Sequence, residues 1–72
     1  MTGEQCRAAR ALLSWSQEEL AFRAGLSVSA IGSIERGRKA PTAYNLRTLK
    51  RTFDGAGVEF TDDDPPGVRL KK

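Results

Sequence analysis

The cations that could bind a row of anions are gathered in one part of this chain. Between Arg36 and Arg51 there are six basic residues and no acidic one, and Arg36, Arg38 and Lys39 open the run. Point cations without interleaved carboxylates suit the neutralising of phosphates rather than bond-making. Just before them lies a short segment with Ala30, Ile31 and Ile34 on its apolar side, which leaves Val28, Ser29, Gly32 and Ser33 facing outward. Val28 can meet a thymine methyl or pack on the preceding helix. Ser29 and Ser33 can donate or accept at a base edge, directly or through water. Gly32 would let a helix backbone come close to a groove. None of the four is Arg, Asn or Gln, the side chains of bidentate base contacts, so the direct code is modest and duplex shape carries part of any specificity. Upstream, Ser16 and Gln17 stand at a helix start, where backbone N–H groups and both side chains can hold a phosphate.

The same inventory speaks against catalysis. There is no histidine, Cys6 is the lone cysteine, and no metal-ligand cluster, Gly-rich phosphate loop or nucleophile beside a base is present. No enzyme activity, metal or cofactor is expected. Asp62, Asp63 and Asp64 before Pro65 and Pro66 read as a solvated turn. A single cysteine excludes an intrachain disulfide and fits a reducing compartment; on an apolar helix face it acts as a small buried hydrophobe. Seventy-two residues with a net charge of +3 make one small domain. Residues 1–57 carry nine basic and five acidic side chains, whereas residues 58–72 carry three and four. With no leader and no long apolar run, the expectation is a cytoplasmic, nucleoid-associated protein with no membrane partner.

The elements that must position these groups are four helices. Thr2 and Gln5 make a T-x-x-Q capping box for a first helix ending at Leu13, with Cys6, Ala9 and Leu13 on one face. Ser16 and Glu19 make an S-x-x-E box for the second, with Trp15 and Leu20 as its hydrophobic staple. Leu20, Ala21 and Ala24 share a face, Gly25 stops the helix, and Ser27 caps a third helix carrying Ile31 and Ile34. Gly37 and Pro41 end that helix, Thr42 caps a fourth, and Leu46, Leu49, Phe53 and Ala56 form its stripe. Two short helices around a three-residue, Gly-containing turn are the unit that places its second helix in the DNA major groove.

Gln17, Glu19-Leu20-Ala21, Gly25, Leu26, Ile31, Ile34, Glu35 and Gly37 together resemble the helix-turn-helix of the Cro and lambda-repressor type, the XRE family. The resemblance runs from about Arg7 to Phe53. It implies an all-α, compact four-helix domain of lambda-repressor type over 1–57. It also implies base reading through Val28, Ser29, Gly32 and Ser33, and an ion pair between Arg10 and Glu35 that ties the first helix to the end of the third. The expected function is a transcriptional regulator, repressor-like, binding double-stranded DNA at a palindromic operator as a homodimer. The competing expectation is a protein-interaction module on the same fold, an antitoxin or antiactivator with a protein partner.

Residues 58–72 depart from the family, many of whose members have a fifth helix here. Val58 and Phe60 alternate around Glu59, and Val68 and Leu70 around Arg69, the pattern of a short β-hairpin. Such a hairpin is marginal alone, so it lies on its own helices or on a second chain. Helices one to three being committed elsewhere, Val58, Phe60, Val68 and Leu70 are the expected dimer contact.

Overall fold

The computed structural model describes residues 1–38, 40–61 and 65–71; Lys39 and the Asp62–Asp64 turn, both read from the sequence, lie outside the described residues. Four helices, α1 (Gly3–Leu13), α2 (Gln17–Ala24), α3 (Val28–Glu35) and α4 (Ala43–Gly55), precede a hairpin of β1 (Val58–Thr61) and β2 (Gly67–Leu70). Each helix starts at a hydroxyl cap. Thr2, Ser16, Ser27 and Thr42 accept the backbone N–H of Gln5, Glu19, Ala30 and Asn45, each at 3.0 Å. Caps of this kind contribute about 0.5–2 kcal/mol apiece.

The first capping box is complete, with the Gln5 side chain accepting the Thr2 N–H at 2.8 Å. The second keeps only its serine half, because Glu19 turns to Arg23 one helical turn on, at 2.6 Å. The reason lies in Arg23, whose guanidinium is also drawn over the Trp15 ring, 4.5 Å from its centroid. Between α2 and α3 the chain turns at Gly25, whose φ of 69° is left-handed and favours glycine.

All four helices and β1 supply the core: Cys6, Ala9, Leu20, Ala21, Ile31, Ile34, Leu49, Phe53 and Val58. Phe53 is fully buried at its centre, stacked on Trp15 with centroids 6.0 Å apart and edge-on to Phe60 at 5.7 Å. The seam between α1 and α3 is closer still. A β-carbon on Gly3 would run into the carbonyl oxygen of Ile34 and lie 2.8 Å from that of Glu35. Backbone cannot rotate aside, so Gly3→Ala is expected to cost on the order of 1–3 kcal/mol. At ~4–8 °C per kcal/mol this is visible in a thermal melt. Gly55→Ala, in helix α4 with open space around it, is the control and should hold or raise the melting temperature.

The hairpin pairs Val58 with Leu70, Glu59 with Arg69, Phe60 with Val68 and Thr61 with Gly67. Glu59 and Arg69 meet across it at 3.0 Å. Its far end is held by buried Gln5, whose amide donates to the carbonyls of Thr61 (3.1 Å) and Gly67 (3.0 Å). The hairpin is therefore built into the monomer. This corrects the expected dimer contact at Val58, which is 1% exposed in the chain's own core. Phe60 and Val68 pack against that core, and Leu70, at the open margin, is the exposed member of the four.

Candidate nucleic-acid interface

Helix α3 buries Ile31, Ile34 and Glu35 and turns its other side outward. Val28, 40% exposed, and Ser29 lie on the surface, and Ser33 is half-buried. The outward placement expected of Gly32 is corrected: Gly32 is buried, because the Arg36 guanidinium lies across it. A β-carbon there would come 3.2 Å from Nη1 and 3.6 Å from Cζ of that arginine. Ser29 and Ser33 border a groove whose other wall is Pro41, Thr42 and Asn45. Asn45 adds an amide-bearing residue to the lining of that groove. The sequence reading gave it no role, although the short connector from Gly37 to Pro41 forces the start of α4 close to α3.

Arg36 and Arg38 are exposed beyond the end of α3, and among the described residues neither has a carboxylate partner. They border a second groove with Arg7 and the start of α1. Arg7, to which the sequence pattern gives no role, is another cation there without an ion pair among the described residues. Ser16 is exposed, its hydroxyl occupied by the cap. Gln17 is committed inward: its amide donates to Glu35 Oε1 at 3.1 Å, which leaves the backbone at the start of α2 as the anion-facing group.

Glu35 is the hub behind this surface. Arg10 grips it with Nε at 2.7 Å and Nη2 at 2.8 Å, and donates from Nη1 to the Trp15 carbonyl at 3.0 Å. The Cys6 thiol adds a fourth donor at 3.5 Å. Burial by itself would lift the Glu35 carboxyl, but the hydrogen bonds from Arg10 and Gln17 and the Arg10 charge outweigh it and hold it below the usual carboxylate range. The same group, hydrogen-bonded to Arg10, keeps that guanidinium charged. No buried side-chain N or O atom among the described residues lacks a partner. One carboxylate thus locks α1, the start of α2 and the end of α3 into a single frame.

This geometry has counterparts. The helix-turn-helix family model matches residues 7–59. The uncharacterized HTH-type transcriptional regulator y4dJ of Sinorhizobium fredii is 39% identical over 57 residues, 75% of this chain and 74% of that protein. The uncharacterized HTH-type transcriptional regulator YazB of Bacillus subtilis is 46% identical over 41 residues, 57% of this chain and 59% of YazB. Among solved structures, the restriction-modification controller protein C.AhdI from Aeromonas hydrophila aligns with a TM-score of 0.68 and 36% identity. The alignment covers 72% of this chain and 79% of that one. The chain belongs to the helix-turn-helix family of XRE, or Cro and lambda-repressor, type. That membership makes it a DNA-binding protein of the transcriptional-regulator class. No helix among the described residues is long and apolar enough to cross a membrane.

Proposed function

We propose that the chain is a sequence-specific transcriptional regulator that binds a palindromic operator as a homodimer, with α3 in the major groove. The observation that carries this reading is the outward side of α3, which ends in arginines that form no ion pair with a carboxylate among the described residues. Val28, Ser29 and Ser33 face the bases, Arg38 and Lys39 take phosphates, and the N-terminus of α2 at Ser16 and Gln17 fixes register on the backbone. The likeness to a restriction-modification controller supports a regulatory role.

Binding to duplex DNA tests the reading directly. Arg38→Ala is expected to weaken specific and random duplexes alike. It should also flatten the slope of log K against log salt by about 0.9 per half-site. Unchanged binding of both duplexes would remove Arg38 from the interface.

A two-fold dimer must set its recognition helices about 34 Å apart. The surface assigned to this contact is the hairpin margin at Leu70, continuous with the partly buried Phe60 and Val68. Leu70→Glu places a charge there without touching the core. It is expected to give a folded monomer in sedimentation equilibrium where the wild-type chain is a dimer. A variant that sediments like the wild type would exclude Leu70 from the contact.

A further inference from the structure

We infer that Arg36 is the principal base-reading residue of this protein, a guanine reader seated over Gly32, rather than one of its phosphate contacts. The inference rests on the proposed docking of α3 in the major groove. Val28, Ser29 and Ser33, the outward residues of α3, include no side chain capable of a bidentate base contact, so either the protein reads sequence weakly or the reader comes from elsewhere. Arg36 follows Ser29 by seven residues, Gly32 by four and Ser33 by three, all same-face spacings on a helix. Arg36 is the C-cap of that helix, with its N–H donating to the Gly32 carbonyl at 3.0 Å. Helical side chains lean toward the N-terminus, which carries this one back over the middle of α3.

Gly32 makes that path free. The atoms nearest to a β-carbon at position 32 are Nη1, Nη2 and Cζ of Arg36, at 3.2, 3.5 and 3.6 Å. The guanidinium therefore occupies the space that any other residue at 32 would fill. It lies on the same stripe as Ser29 and Ser33, with its donors unclaimed by any carboxylate among the described residues. A planar guanidinium on the groove-facing side of a recognition helix matches the O6 and N7 acceptors of guanine. Arg38 and Lys39, past the end of the helix, are left to the phosphates.

The test is selection from a randomised duplex pool, followed by competition between duplexes that differ at one base pair. The proteins compared are the wild-type chain, Arg36→Ala, Gly32→Ala and Arg38→Ala. The wild type should enrich a guanine at one symmetric position and prefer it roughly 5- to 150-fold over other bases. Arg36→Ala should lose that preference and keep the rest of the site. Gly32→Ala should fold at least as stably yet weaken the same preference, because the new methyl displaces the guanidinium. Arg38→Ala should keep the preference while binding all duplexes less well. A uniform loss across duplexes in Arg36→Ala, with the base preferences intact, would make Arg36 a phosphate contact and overturn the inference while the DNA reading stands. No enriched sequence with the wild-type chain would overturn the DNA reading itself and the inference with it.

Discussion

Truncating Phe53 to alanine is expected to cost about 3–5 kcal/mol, as for large aromatic residues removed from well-packed cores. In a chain of this length the whole stability is only about 4–11 kcal/mol. The variant should thus sit near its melting midpoint under mild conditions. The cost belongs at the high end because Phe53 is enclosed from two directions. Trp15 stacks on one face from the α1–α2 connector, and Phe60 meets it edge-on from β1, so no single neighbour can collapse into the void. Phe53→Leu, which keeps most of the volume, should recover much of the loss. Urea titration followed by circular dichroism measures both. An unfolding free energy for Phe53→Ala within about 1 kcal/mol of wild type would show that the aromatic layer is not what holds the hairpin to the helices.

The second large effect is expected at Glu35. Glu35→Gln keeps the shape and removes the charge, leaving Arg10 without its carboxylate. Breaking a buried pair from one side costs ~3–5 kcal/mol. Here about 2–4 kcal/mol is expected, because the Arg10 side chain keeps 16% exposure and can be partly resolvated. The pH dependence follows from the depressed carboxyl. A group whose pKa is lowered by folding contributes its full stability above its ordinary value of 4.5 and loses it as pH falls through the lower, folded value. The stability difference between wild type and Glu35→Gln should therefore be constant at neutral pH and shrink below about pH 4.5. A difference that is the same at acid and neutral pH would mean that the Glu35 charge is not the source. DNA binding should suffer as well, since glutamine offers one acceptor oxygen where the carboxylate offers two, and Arg10 and Gln17 must compete for it at the joint between α2 and α3.

What could be read from the amino-acid sequence follows the range of the forces involved. Caps and helix stops depend on groups three or four residues apart, so Thr2, Ser16, Ser27, Thr42 and Gly25 are legible directly. The hairpin register is equally local, because the alternation around Glu59 and Arg69 fixes which residues oppose. Competition between partners is harder. Glu19 had two candidates within reach, the Ser16 N–H and Arg23, and the sequence does not say which wins. Local spacing accounts for one role each for Gln5 and Gln17, but their amides make bonds across the fold that no periodicity signals. Gly32 shows the same limit at the interface. Its position on the helix is readable, but whether solvent or Arg36 fills the space beside it depends on a rotamer. Val58 looks alike as a dimer contact or as core until the helices that cover it are in place.

The thiol in the α1–α3 seam makes the molecule its own chronometer. Cys6 is fully buried, and burial together with the Glu35 charge pushes its thiol up to about 12. Alkylating reagents attack the thiolate and need access to it, so the closed protein offers them neither. Labelling proceeds through whatever opening parts α1 from α3, and its rate measures the free energy of that opening much as amide exchange does. The chain has a single cysteine, so the signal comes from one site without engineering. A duplex that binds the closed form in preference to the opened one would slow the label, and the slowing would measure that preference as a free energy.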